Sequence, residues 1–434
     1  MKIIHGDCLE ELKRLEDNSV DAVITDPPYG LSNTKPVQVA EILGRWVNGD
    51  VSHVPEKRGG FMGKDWDSFV PPPAVWAECL RVLKPGGHMA VFAGSRTQDL
   101  MGLSIRLAGF EIRDTLGWVY GSGFPKSMDI SKAIDKAAGA EREVVGRSAS
   151  KSGISRKGHN HYVVGGGRAK TVNITAPATP EAKRWNGWGT ALKPAIEPII
   201  LARKPLVGTV ANNVLAHGVG GLNIDACRVG MSDADREAAK VPQPVQHNDG
   251  RAVYQMGTGE GRNGATFEPA PAGRFPANVL LDEHAAKEMD EQSGVLKTGA
   301  WNGKRSTPKT DAVYGYREGG NESGRPADSG GASRFFPVFK YQAKAPKKER
   351  PVIVREDGTK IQHPTVKPLK LMEWLVTLIT PEGGTILDPF AGTGTTLQAA
   401  VNKGFNPIGI EADEDYIQLI NQRMEGGDTS TRNN

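Results

Sequence analysis

Cysteine is scarce in this sequence: Cys8, Cys79 and Cys227 are the 3 present in 434 residues. They form neither a CxxC pair nor an even-numbered disulfide framework, which excludes a disulfide-stapled fold and points to a reducing, cytoplasmic setting. Long apolar runs are also missing. None approaches the ~18 residues of a membrane span, and Met1 to Asp7 lacks the basic and apolar blocks of a signal peptide. That opening reads instead as a short strand running into a turn. Metal-ligand spacing is absent as well: of the 9 histidines, His159 and His161 stand two apart without a partner cluster, as solvated loop histidines do. Aromatic residues make up only 6% against 53 glycines, which fits a globular core with long, loop-rich excursions.

Charge is unevenly spread. The formal net charge is +4, yet residues 151–200 hold 8 Lys and Arg against 2 Asp and Glu, and residues 301–350 hold 11 against 5. Two basic stretches in mid-chain suit a polyanionic partner.

The first ~120 residues read as α/β. Val20 to Ile24 is a β-branched apolar run, hence a buried strand, and the prolines of Asp26-Pro27-Pro28 stop its ladder. A loop rich in Gly and charge is expected through Trp46 to Asp67. Val75 to Leu83 has helical periodicity ended by Lys84-Pro85-Gly86-Gly87. His88 to Phe92 is the next strand, and a helix over Thr97 to Leu107 follows. From Gly121 to Lys360 the rhythm is lost among turn residues such as Gly165–Gly167 and Gly319-Gly320. Apolar islands at Glu197–Ala202 and Phe275–Leu281 read as further strands, interrupted by a recognition insert. Order returns with a helix over Leu369–Leu378, a strand at Thr385–Asp388, a turn at Gly392-Thr393-Gly394, a helix over Thr395–Asn402, a strand at Asn406–Glu411 and a helix over Glu414–Met424. The expected organisation is a first half at 1–135, interrupted strands at 136–355, a ligand-binding half at 356–425 and a frayed polar tail at 426–434.

Two constellations carry chemistry. In the first, strand Thr385–Asp388 breaks into Pro389-Phe390-Ala391-Gly392-Thr393-Gly394, which opens a helix at Thr395-Thr396. Glycines let a ligand approach the backbone, and a helix N-terminus offers unpaired N–H groups. Glu411, 19 residues after Gly392, ends the next strand, where an acid accepts hydrogen bonds from both ribose hydroxyls. The unit therefore suits an adenosine-containing cofactor. The third glycine of GxGxxG and the lysine of a P-loop are both absent, which favours a cofactor without phosphate, such as S-adenosylmethionine.

In the second, Asp26-Pro27-Pro28-Tyr29 follows a strand and so sits at the carboxyl edge of the sheet, where open α/β folds bind ligands. Two prolines hold the backbone extended and aim the Asp26 carboxylate and the Pro27 carbonyl at one point. An exocyclic base amine is a matching pair of donors, and Tyr29 offers a face for a flipped base.

Together these motifs resemble the amino-methylating DNA methyltransferases, whose [DNS]PP[YFW] tetrapeptide binds the target amine and whose FxGxG loop binds S-adenosylmethionine. The tetrapeptide-first order resembles the β class of that family. The resemblance covers residues 1–125 and 360–425. It implies a Rossmann-like α/β S-adenosylmethionine-dependent methyltransferase fold, circularly permuted, with a loop-rich target-recognition insert. By it, Asp26, Pro27, Pro28 and Tyr29 are catalytic. Asp7 reaches the cofactor adenine, with Cys8 beside it in the cofactor site, while His363, Thr365 and Lys367 hold its methionine end. Asp388, Phe390, Ala391, Gly392, Thr393, Gly394, Thr395, Thr396 and Glu411 complete the cofactor site. The substrate implied is double-stranded DNA, and a homodimer is expected from β-class relatives. Transfer is direct, and no cysteine follows a proline as a cytosine C5 nucleophile does. An Asp-led tetrapeptide favours adenine N6 over cytosine N4. RNA-base or protein-glutamine methylation remains the nearest alternative, and a nicotinamide oxidoreductase the next.

Overall fold

The computed structural model describes residues 1–32, 34–55, 67–121, 123, 127–149, 154–157, 161–164, 171–231, 241–242, 266–267, 273–298, 328–339, 350–355, 357–363 and 365–427. His159, the runs Gly165–Gly167 and Gly319-Gly320, much of the basic stretch 301–350 and the tail from 428 lie outside these residues.

Nine strands form one sheet: β1 (Lys2–His5), β2 (Val20–Thr25), β3 (Leu83–Phe92), β4 (Glu111–Val119), β5 (Ile196–Arg203), β6 (Val279–Asp282), β7 (Val338–Phe339), β8 (Thr385–Asp388) and β9 (Asn406–Glu411), in the order β1-β9-β8-β2-β3-β5-β4-β6-β7. All neighbours are parallel except β5, which runs antiparallel to both β3 and β4. Central strands covered on both faces need apolar residues at successive positions, not alternate ones. β2 is buried from end to end, and its two polar residues are paired, Asp21 with Lys84 and Thr25 with Asp388.

Among the described residues the α-helices are α1 (Cys8–Leu12), α2 (Pro36–Val47), α3 (Pro73–Val82), α4 (Gln98–Leu107), α5 (Ile130–Ala137), α6 (Pro180–Arg184), α7 (Val210–His217), α8 (Glu283–Ser293), α9 (Leu369–Ile379), α10 (Thr395–Asn402) and α11 (Glu414–Gly427). Val23, Met89, Val91, Ile200 and Leu387 face a core completed by Leu12 of α1, Trp46 of α2, Trp76 of α3 and Met101 of α4. Ala22, Ile24, Phe92, Leu201 and Ile386 face the opposite core, closed by Leu371, Leu375 and Val376 of α9. Each such fully buried Leu or Ile contributes about 1.5–3 kcal/mol of transfer free energy. Small antiparallel pairs stand outside the main sheet, among them Val144–Ala149 with Thr171–Thr175 and Ile353–Val354 with Lys360–Ile361.

Two expectations are corrected, and one strand is added. The segment through Trp46 is helix α2, not loop: Pro36 is at its first turn, and Ile42 and Trp46, four apart, are buried. Lys84 to Gly87 does end α3, but the strand has already begun at Leu83, and the register with β2 shifts between Val20 and Ala22 across that excursion. Strand β4, left unread in the sequence, is half-buried through Leu116 and Trp118. Among the described residues no helix is long and apolar enough to cross a membrane.

Candidate active site

Parallel strands that end together bring together whatever follows them. The tips of β1, β9, β8 and β2 lie side by side, with His5 opposite Glu411 and Ile386-Leu387 opposite Ala22-Val23. Each tip leads into an acid: Asp7 after β1, Glu411 on β9, Asp388 on β8 and Asp26 after β2. Because β5 is reversed, its beginning reaches the same edge, with Ile196 opposite Val119 and Ile199 opposite Phe92. Glu197 therefore stands at that edge as well. Residues expected at the two ends of the chain thus share one rim of the sheet.

The β2 side of the rim is a closed polar network. The Tyr29 hydroxyl donates to Asp26 Oδ1 at 2.7 Å. Lys367 Nζ donates to the Tyr29 hydroxyl oxygen at 2.8 Å and to Glu197 Oε2 at 2.9 Å, and lies 3.1 Å from Asp26 Oδ2. It also sits 4.7 Å from the centre of the Phe92 ring, a cation–π arrangement. Only 8% of Lys367 is exposed. Burial opposes its charge, but the Asp26 and Glu197 carboxylates outweigh burial and hold its pKa above the ordinary lysine value. Burial, then Asp26 and Glu197, push the Tyr29 hydroxyl well above the phenol range, so it stays protonated. The backbone turn is pinned too: Thr97 Oγ1 donates to the Tyr29 carbonyl at 2.6 Å, and Gly30 N–H donates to Asp67 at 2.9 Å. Gly30 has φ +66°, and a Cβ there would strike the Phe69–Val70 backbone.

The β8–β9 side is the glycine loop. Gly392 and Gly394 adopt φ +54° and +74°, the left-handed region that other residues enter at a cost. The Gly394 N–H closes on the Ala391 carbonyl at 2.7 Å, and the Ala391 N–H bonds Ile410. Arg423 of α11 donates to the Thr393 carbonyl at 2.7 Å. Asp388, 2% exposed, accepts from Thr25 Oγ1 at 2.7 Å and from the Phe390 N–H at 3.1 Å. Burial raises its pKa to about 6, against the opposing pull of the Thr396 and Thr25 hydroxyls and the Phe390 N–H. Thr395 and Thr396 are buried at the start of α10. Phe390 packs on Trp76 with ring centres 6.3 Å apart.

Glu411 accepts from the Gly392 N–H at 2.7 Å and from the Asp413 N–H at 2.9 Å. Burial raises its carboxyl to about 7, against those two N–H donors. The His363 ring lies edge-on to Tyr416, centres 4.8 Å apart, with Nδ1 against the Thr365 carbonyl. Its Nε2 would stand 3.8 Å from a Cβ placed on Gly392. The Asp7 carboxylate caps α1 through the Leu9 and Glu10 N–H groups, and the Gly6 N–H reaches the Glu411 carbonyl at 3.0 Å. Burial, with Asp7 and Glu411 nearby, pushes the Cys8 thiol up to about 12, which keeps it from being a nucleophile.

One residue stands apart from its expected group. Lys367, expected at the cofactor's methionine end with His363 and Thr365, turns its ammonium to Asp26 and Tyr29. Glu197, which the sequence marks only as part of a strand, joins the site as well. The one local signal for it is an acid within an otherwise apolar island.

Comparison with known proteins identifies the family. A family model described as DNA methylase matches residues 20–422. The type II methyltransferase M.HindIII of Haemophilus influenzae is 25% identical over 446 aligned positions, covering 97% of this chain and 94% of that protein. The type II methyltransferase M2.DpnII of Streptococcus pneumoniae is 44% identical over 64 residues, 15% of this chain and 24% of that relative's length. Among solved structures, the PvuII DNA methyltransferase, titled cytosine-N4-specific, aligns with 97% of this chain and 85% of its own at 13% identity and a TM-score of 0.41.

Proposed function

The chain belongs to the N6/N4 DNA methylase family, and from that premise we propose that it methylates adenine N6 in double-stranded DNA, using S-adenosylmethionine. The observation that carries this reading is the meeting of Asp26 with the Gly392–Glu411 loop at one sheet edge. Adenine is favoured over cytosine because the tetrapeptide is Asp-led. The same reading takes the order of the two motifs as the circularly permuted, β-class arrangement, places residues 136–355 as strands interrupted by a recognition insert, and includes a cytoplasmic homodimer.

The residues present fit the donor. A left-handed glycine turn opens α10, no phosphate-binding lysine stands in it, and an acid closes the neighbouring strand. When bound, the donor supplies an electrophilic methyl group. Glu411 would accept from the ribose hydroxyls. Asp7 and Cys8 would border the adenine, Phe390 would pack against the donor, and His363 and Thr365 would hold its methionine end. Asp388 and the loop from Ala391 to Thr396 keep the cradle in shape.

At the other half of the rim, Asp26 and the Pro27 carbonyl accept hydrogen bonds from the two hydrogens of the target amine. That steers the nitrogen lone pair away from the ring and toward the methyl. Tyr29, held at its hydroxyl by two partners, presents a fixed ring on which an extruded base stacks. Catalysis then consists of positioning and electrostatics, with no covalent intermediate. The test is Asp26→Ala: donor binding by calorimetry is retained and methyl transfer to DNA is lost. Full transfer by a folded variant refutes the assignment.

A further inference from the structure

A lysine ammonium only donates hydrogen bonds. Lys367 therefore fixes the direction of the Tyr29 hydroxyl: the oxygen is taken from one side at 2.8 Å, so its hydrogen points to Asp26 Oδ1 at 2.7 Å. Asp26 Oδ2 meets the same ammonium at 3.1 Å. Both oxygens of the carboxylate assigned to the amine are thus held by one small network, and that network ends on Glu197 at 2.9 Å. The groups facing Lys367 are Asp26 and Tyr29 from the loop after β2, Glu197 from β5 and the Phe92 ring from β3, with Tyr120 acting on Tyr29 from the end of β4.

Two carboxylates share one buried cation. With Asp26 alone, a Lys367 that is 8% exposed would either settle fully onto Asp26 or lose its proton, because burial disfavours a charge with a single partner. Settling onto Asp26 takes up acceptor sites that an incoming amine needs. Losing the proton releases the Tyr29 hydroxyl from its enforced direction.

We propose that Glu197 is a positioning residue for methyl transfer, which by drawing Lys367 toward itself keeps Asp26 open to the target amine and the Tyr29 hydroxyl aligned. This rests on the reading that Asp26 receives the amine. Glu197 does not act on substrate; it acts through Lys367. The conflict between burial and ion pairing at Lys367 supplies a signature. In Glu197→Gln one of two counter-charges disappears while burial stays, so the ammonium titrates at lower pH than in the wild type.

The test is steady-state methyl transfer to duplex DNA by the wild type, Glu197→Gln and Glu197→Asp from pH 6 to 10. The Gln variant is expected to lose about tenfold or more in kcat with KM for S-adenosylmethionine unchanged, and to gain an alkaline fall in activity at lower pH than the wild type. The Asp variant, which keeps the charge, is expected to retain the wild-type pH profile with a partial loss in kcat. A folded Gln variant with wild-type kcat and wild-type pH profile overturns the proposal. If the Gln variant does not fold, the Asp variant decides, with wild-type kcat as the overturning result. A wild type that methylates no DNA refutes the functional reading instead. A double-mutant cycle of Glu197→Gln with Lys367→Met on unfolding free energy then judges the coupling without turnover: non-additive effects support it and additive effects overturn it.

Discussion

The proposed contact of Glu411 with the cofactor ribose predicts an affinity that depends on pH near neutrality. Its carboxyl is raised to about 7, first by burial and then against the Gly392 and Asp413 N–H donors. In the proposed complex the ribose hydroxyls donate more strongly to the ionised carboxylate than to the neutral acid, so binding favours loss of the proton. With a pKa near 7, about nine-tenths of the carboxyls are ionised at pH 8 and about one-tenth at pH 6, which weakens donor affinity by up to about tenfold over that interval. Stability runs the opposite way. The folded pKa lies above the ordinary value of 4.5, so the ligand-free protein gains from the neutral carboxyl below pH 4.5 and loses that gain as pH rises to 7. The change is on the order of 3 kcal/mol. Glu411→Gln removes both slopes and weakens binding by about 1.5–3 kcal/mol through loss of charge-assisted hydrogen bonds. Calorimetric titration with S-adenosylmethionine from pH 6 to 8.5, on wild type and Gln variant, measures the first effect. The donor's own amino group titrates in both and cancels in the comparison. Melting curves over pH 4 to 8 measure the second. An affinity slope that is the same in both proteins refutes the reasoning.

Two further outcomes follow from the same rim. Gly394→Ala puts a side chain at φ +74° and 3.0 Å from Ile420 Cγ2; backbone strain of about 1–2 kcal/mol lowers both the melting temperature and donor affinity, and unchanged values in both assays contradict the left-handed turn. Thr25→Val deprives buried Asp388 of its 2.7 Å donor, which destabilises the fold by about 1–3 kcal/mol and raises the Asp388 pKa above about 6; chemical denaturation checks the first and a carboxylate titration by NMR the second.

What the sequence reveals here is mostly local. Proline after an apolar run ends β2, and glycine after Asp388 opens α10. Those signals sit within a few residues of what they control, and they place both halves of the site. The misread elements give weaker signals. In α2 the helical spacing of Ile42 and Trp46 is hidden among glycine and charge, while in β4 the buried pair Leu116 and Trp118 is preceded by exposed Arg113, Asp114 and Thr115. The Lys367 network is of a third kind. Its contacts span 170 residues to Glu197 and 338 to Tyr29. The reversed β5, inserted between β3 and β4, brings Glu197 to the same edge as Asp26. No spacing rule along the chain encodes that meeting.

The most direct measurement is mass spectrometry of nucleosides from duplex DNA incubated with the protein and methyl-labelled S-adenosylmethionine. Labelled N6-methyladenine, lost with Asp26→Ala, is the predicted result. Labelled N4-methylcytosine without N6-methyladenine would contradict the assignment of the base, and no label in DNA would contradict the function itself.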